Sequence, residues 1–300
     1  MSSSKCILVT GASSGFGLLM SKALARAGHR VYASMRGLRD KNVKASAEIT
    51  SWATGEKVAI HPLELDILSD ASCDRAVEEI TAREGQIDVL INNAGMLVIG
   101  VSECFTPDQV LACLNTNVVG HFRVCRAVLP AMRAREDGLL IHIGSVTSRV
   151  ISPFQGPYVA AKTAWDALAE TIHYENARYG IDTVMVQPGA YTGGTNHFAG
   201  AQRPADAARE SQYSRITDVP AQLVSRLGSL VPEGARTDPD EVAEEVVKVV
   251  AQPKGSRPFR IVVDPQRHGA EHVNAVAASV QHDFMRRMGI ADMRVCRLTP

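Results

Sequence analysis

The sequence predicts a doubly wound α/β fold: a single domain on a seven-stranded parallel sheet with helices on both faces. Three observations carry this. Short apolar runs alternate with longer segments of helical period. A glycine-rich turn joins the first apolar run to the first helix. No internal repeat or low-complexity tract interrupts the first 190 residues. Strands alternating with helices imply right-handed βαβ crossovers and a parallel sheet covered on both sides.

The elements follow in order. Residues 6–9 (CILV) read as a strand and are followed by a helix to about Ala27. Residues 29–35 are strand-like, and a polar helix then runs toward Ala53. Residues 57–65 alternate as a strand, and 73–83 carry apolar residues at helical spacing. A strand at 89–91 precedes one substantial helix over 107–132. Residues 139–143 form the fifth strand, 158–179 a helix and 183–186 the sixth strand. After Pro188 the texture becomes irregular, so residues 190–236 read as a mobile flap or a substrate-covering insertion whose clearest helix is 220–227. Asp238, Pro239 and Asp240 open a helix over 241–250, acids and proline standing where the helix dipole favours them. Residues 259–263 make the last strand, and 273–288 a final helix ending at Gly289. The organisation expected is one domain over 1–265, flap included, with a helical extension over 266–300.

Composition excludes several partners. Of 300 residues, 45% are apolar and 21% charged, ordinary for a globular protein with a sizeable core. The 32 basic and 32 acidic side chains cancel, and there is no run of five like charges. No field therefore gathers nucleic acid or an anionic membrane. The cysteines are scattered without a C-x-x-C pair and read as free thiols in a reducing compartment. The apolar stretch after Lys5 is too short for a signal peptide or a membrane span. A cytoplasmic protein acting on a small molecule is expected.

Thr10-Gly11-Ala-Ser13-Ser14-Gly15-Phe16-Gly17 lies between strand and helix. Such a turn lets backbone amides approach a pyrophosphate at a helix N-terminus. NAD-binding folds usually place an acid at the end of the second strand to hold the ribose hydroxyls. Here the strand ends Met35-Arg36. An arginine can pair with a 2′-phosphate that a carboxylate would repel, so NADP(H) is the expected cofactor, with Ser13 and Ser14 as extra donors.

Tyr158 and Lys162 are four apart and share a helix face, while Ser145 ends the preceding strand. A phenol with a pKa near 10 is a poor acid-base group at neutral pH, and an adjacent ammonium lowers that value. Tyr158 is thus expected to move a proton at a carbonyl oxygen, Ser145 to hydrogen-bond that oxygen, and Lys162 to acidify the phenol.

With these residues the chain resembles the short-chain dehydrogenase/reductase family over roughly residues 5–265. The matching positions are the Thr10–Gly17 turn, Asp66, Asn92-Asn93-Ala94-Gly95, Asn117, Ser145, Tyr158, Lys162 and Pro188-Gly189. The resemblance implies a Rossmann-type sheet and an NADP(H)-preferring oxidoreductase of ketones, aldehydes and alcohols. It also implies that Asp66, with Ile67, meets the adenine and that Asn93, Ala94 and Gly95 brace the sheet beside the cofactor. Lys162 would hold the nicotinamide ribose as well, and Asn117 would position a water that relays protons. The family's threonine after Pro188-Gly189 is replaced here by Gly193, so Thr192 or Thr195 would touch the carboxamide. Members often pair helices like 107–132 and 158–179 across a twofold axis, which implies a homodimer or homotetramer.

The substrate pocket is expected between residues 96–99, residues 151–155 with Phe154, and residues 191–198 beginning at Tyr191. These segments are mostly apolar and show no arginine placed to clamp an anion. A neutral, hydrophobic carbonyl compound follows, steroid-like or retinoid-like alcohols among the candidates. An NAD-dependent alcohol dehydrogenase and a nucleotide-sensing regulator are the alternatives on the same fold. His268 and His272, four apart, lack a third metal ligand nearby, and His142 between two isoleucines reads as a packing residue.

Overall fold

A computed structural model describes residues 4–296. Seven strands form one parallel sheet in the order β3-β2-β1-β4-β5-β6-β7. They are β1 (Cys6–Val9), β2 (Arg30–Met35), β3 (Ile60–Glu64), β4 (Val89–Asn92), β5 (Gly138–Ile143), β6 (Ile181–Pro188) and β7 (Arg260–Val263). Successive side chains of a strand face opposite ways. Ile7 and Val9 accordingly join one core while Cys6 and Leu8 join the other. The first core is closed by α1 (Gly15–Arg26), α2 (Val43–Glu56) and α9 (Asp240–Ala251). The second is closed by α3 (Asp70–Glu84), α5 (Gly120–Arg135) and α6 (Gly156–Ala177), with Trp165 of α6 at its centre. Cys6, Cys73, Cys104, Cys113 and Cys125 are buried thiols. No helix among the described residues is long and apolar enough to cross a membrane.

The strand order reverses direction between β1 and β4, whose carboxyl ends leave a crevice between the loops that follow them. Elsewhere the structure adjusts the sequence expectations. The helix expected to stop near Ala53 runs to Glu56 and is capped by Lys57 in a left-handed conformation, φ 58°. The strand behind it consequently begins at Ile60. The single helix expected over 107–132 is α4 (Pro107–Leu114), a π turn (Asn115–Val119) and α5. The wide turn follows from the Asn117 amide, which donates to the Met96 carbonyl at 3.0 Å as well as to the Cys113 carbonyl at 3.1 Å.

The flap is ordered by two anchors. Gln202 pairs its backbone with Leu97 and Ile99, at 2.9 and 3.0 Å. Gln109 closes a capping box with Thr106 at the start of α4 and also accepts from the Ala205 amide at 3.0 Å. Within the flap lie α7 (Ala207–Glu210) and α8 (Val219–Ser229). The chain ends in α10 (Ala270–Arg287), which begins after Gly269, earlier than the sequence pattern indicated.

Candidate active site

The crevice is a cleft of about 850 Å³. The glycine turn forms its floor. Gly11 has φ +67°, and a Cβ there would lie 2.7 Å from the Cα of Ala94, so only glycine fits. Thr10 locks the neighbouring turn: its hydroxyl accepts from the amides of Asn93 and Ala94 at 2.9 and 3.1 Å. The Asn93 amide donates to the carbonyls of Thr10 and Gly11 at 2.9 and 3.1 Å. A cleft floored by a bare backbone at the N-terminus of α1 fits a dinucleotide pyrophosphate.

Of the residues expected to bind the cofactor, Gly11, Ser13, Ser14, Gly15, Phe16, Arg36, Asp66, Ile67, Asn93, Ala94, Gly95, Tyr158, Lys162, Pro188, Gly189 and Thr195 line this cleft. Gly17 lies behind it, where a Cβ would strike the Gly11 carbonyl at 2.3 Å. Thr192 does not line it and lies toward Gly228 at the end of α8, which leaves Thr195 as the threonine facing the cleft. Beside Arg36 the cleft is also walled by Lys41 and Asn42. The Asn42 amide donates to the Arg36 carbonyl at 2.6 Å, and Glu64 takes the amides of Gly37 and Leu38, both at 2.7 Å. This turn sets two cations at one corner.

Ser145 caps the 3-10 turn Val146–Ser148 just beyond β5, Tyr158 stands in the first turn of α6, and Lys162 lies one turn on. All are buried. The Ser145 hydroxyl accepts from the amide and hydroxyl of Thr147, at 3.2 and 2.9 Å. Burial pushes the Tyr158 phenol above its ordinary pKa, and a hydrogen bond from Ser145 opposes the shift. Lys162 donates to the Ile143 carbonyl at 2.9 Å and stands 5.7 Å from the centroid of the Tyr158 ring. Lys162 thus stands within electrostatic reach of the phenol, and burial of the phenol works against the acidification expected of it. The same desolvation lowers Lys162 itself to about 8. Asn117 lines the cleft too, but its side chain is committed to protein: Oδ1 accepts from the Met96 amide at 3.1 Å while the amide group holds Met96 and Cys113.

A second cavity of about 450 Å³ opens on the far side of Ser145 and Tyr158. Leu97, Val146, Val150, Ile151, Phe198 and the α8 residues Leu223 and Leu227 make it largely apolar. Tyr191 is a wall, its ring edge-on to Phe16 at 5.5 Å and its hydroxyl donating to Glu241 at 2.8 Å. Phe154 is not part of the lining. It adopts φ 64° and packs against the apolar cluster that includes Leu97, Val98 and Ile99. The expectation that no arginine stands by the pocket is also corrected, because α8 brings Arg226 to the lining. His268, at the same cavity, faces the Asp264 carboxylate at 3.0 Å.

Sequence reasoning missed Lys41, Asn42, His197 and Arg226. His197 borders both cavities, its ring 5.9 Å from that of Tyr158, and desolvation lowers it to about 4, so it is neutral at physiological pH. A cation five residues after Arg36 was a readable signal for Lys41. Nothing local marks His197 or Arg226, which the flap carries in.

A model of the short chain dehydrogenase family matches residues 5–204. The chain is 37% identical to a 3-ketodihydrosphingosine reductase of Bacteroides thetaiotaomicron over 86% of its length and 87% of the relative's. Its fold matches a short-chain dehydrogenase from Streptomyces avermitilis with a TM-score of 0.73 at 26% identity, covering 96% of this chain and 98% of that one. It likewise matches an actinorhodin polyketide ketoreductase with NADPH, TM-score 0.71 at 28% identity, covering 88% and 97%. With its glycine turn, Ser145, Tyr158 and Lys162 gathered at one seam, this chain belongs to the short-chain dehydrogenase family of NAD(P)-dependent oxidoreductases.

Proposed function

We propose that the protein interconverts a ketone or aldehyde and its alcohol with NADP(H), and that reduction is its working direction. One observation carries the reading: Ser145 and Tyr158 both line the seam between a nucleotide-sized cleft and an apolar cavity. When bound, the nicotinamide supplies or takes the hydride. The chain's own residues do the rest. Tyr158 gives its proton to the carbonyl oxygen, and Ser145 donates a hydrogen bond to the same oxygen as charge gathers there. A phenol is un-ionised at neutral pH, the form that gives a proton in reduction, and burial reinforces that state. Charged Lys162 favours the phenolate left behind. Asn117 acts as a brace for Met96, and the flap shields the seam from water.

The choice of NADP(H) is supported by Arg36 and Lys41 at one corner of the cleft, where a 2′-phosphate gains two cations. The ketoreductase with NADPH named above is consistent with it. The substrate class is an apolar carbonyl compound. Arg226 at the cavity makes an anionic end group more acceptable than a cationic one.

The test is NADPH absorbance against a panel of hydrophobic ketones and aldehydes, repeated with NADH. Turnover of the apolar members with preference for NADPH is expected. Exclusive use of NADH, or turnover confined to small sugars, would overturn the assignment.

A further inference from the structure

We infer that Asn274 of α10 is a positioning residue for Ser145, so that the C-terminal helix belongs to the working parts of the active site. The inference rests on the role proposed above for Ser145.

Ser148 ties the catalytic loop down, its hydroxyl lying 2.9 Å from the Ser145 carbonyl and 3.1 Å from Asp166 Oδ2. Asp166 is one turn beyond Lys162 on α6 and is 1% exposed. A carboxylate buried so deeply must be compensated on every side. Arg149 and Arg260 each donate to its Oδ1 at 2.6 Å, and the Gln187 amide donates to its Oδ2 at 2.9 Å. Arg149 belongs to the loop that carries Ser145 and walls the substrate cavity, while Gln187 is next to Pro188 at the end of β6.

Two polar atoms of this hub still need partners, and Asn274 satisfies both. Its Oδ1 accepts from Arg149 Nε at 2.9 Å, and its Nδ2 donates to Gln187 Oε1 at 2.7 Å. An amide matches one donor and one acceptor at once, which neither a carboxylate nor an alkyl side chain can do. Removing it strands a guanidinium N–H and a buried amide oxygen, and such groups reorganise until water or protein satisfies them. The element with least structure of its own is the loop after Ser145, a three-residue 3-10 turn over Val146–Ser148. Its movement displaces the Ser145 hydroxyl and the wall formed by Val146, Thr147 and Val150.

The test uses the full chain with Asn274→Ala, Asn274→Asp, Ser145→Ala and the Ser145→Ala/Asn274→Ala pair. Misplacing a catalytic group by about 1 Å costs on the order of a hundredfold, so Asn274→Ala should lower kcat about ten- to a hundredfold. NADPH affinity should stay within about twofold, because the loop is separate from the glycine turn. Asn274→Asp, which keeps the acceptor for Arg149, should recover part of the loss. In the Ser145→Ala background the second substitution should add little, as expected of residues acting as one unit. Unchanged kcat in Asn274→Ala, an equal loss in both backgrounds, or a loss matched by weaker NADPH binding each overturns the inference alone. Absence of carbonyl turnover in the unsubstituted protein removes the role of Ser145, and the inference with it.

Discussion

Lys162 Nζ donates to the carbonyl of Ile143 at 2.9 Å while standing 5.7 Å from the ring centroid of Tyr158. The last residue of β5 thus fixes the lysine, and the lysine sits within electrostatic reach of the phenol. Burial perturbs both groups in opposite senses, raising the phenol and lowering the ammonium. Their states at neutral pH are a neutral acid and a cation poised to lose its proton.

Tyr158→Phe removes one oxygen and little volume. If that oxygen moves the proton, kcat should fall about a hundred- to ten-thousandfold, the usual range for a general acid. Fluorescence titration should show NADPH binding little changed, since the glycine turn is untouched. A kcat within threefold of the unsubstituted protein, by about the same reasoning, would place the proton on another group.

The lysine sets a pH limb. With its pKa near 8, Lys162 is charged below that value and neutral above it. Reduction needs the cation beside the forming phenolate, so kcat/KM for reduction should hold below about pH 8 and decline above it. Stability runs the other way. A folded pKa depressed from 10.5 means the unfolded chain binds more protons between pH 8 and 10.5, so this group's contribution to stability rises across that window and is lost as pH falls through it. Rate profiles from pH 6 to 10 on the unsubstituted protein and on Lys162→Met check the first point, and the limb should vanish in the variant.

Much of the site was legible because its chemistry is local. Tyr158 and Lys162 are one helical turn apart, and the Thr10–Gly17 turn joins adjacent elements, so spacing alone places them. Residues placed by tertiary docking were not legible. Arg226 reaches the cavity only because α8 folds back over it, and His197 meets Tyr158 only through the flap. Phe154 adopts a left-handed backbone conformation and lies outside the cavity lining, and no pattern of letters announces that conformation. The helical stretch expected over 107–132 runs on to Arg135, and the sequence hid its π turn, which arises from an Asn117 bond to a segment some twenty residues earlier.

Arg36 and Lys41 should discriminate between the two nicotinamide cofactors. Hydrogen bonds to a charged group contribute about 1.5–3 kcal/mol, so Arg36→Ala should raise the KM for NADPH about ten- to a hundredfold. The KM for NADH should scarcely move. Lys41→Ala should act in the same direction and more weakly, as a point charge without the forked geometry. Parallel kinetics with both cofactors measure this, and equal losses with each would deny the 2′-phosphate role.

Tyr191 offers a control for the other tyrosine at the seam. Its hydroxyl donates to Glu241 at 2.8 Å, while the residue lines the cavity. Tyr191→Phe should therefore keep kcat and KM within about twofold while lowering Tm by a few degrees, the scale of about one lost hydrogen bond in a protein this size. A collapse in kcat comparable to that of Tyr158→Phe would mean that the wrong tyrosine has been assigned the proton.

Arg226 tests the substrate reading most directly, because it is the charge that an apolar cavity would feel first. Two matched hydrophobic ketones, one ending in a carboxylate and one in a trimethylammonium group, separate charge from shape. Arg226 is exposed and bonded to Gln222 at 2.7 Å, so its field is screened and the preference for the anion should be modest, about two- to fivefold in kcat/KM. Arg226→Glu should reverse that order while leaving a neutral ketone of the same length nearly unaffected. If both charged ketones respond alike, the arginine is only a surface residue of α8 and the cavity selects by apolar fit alone.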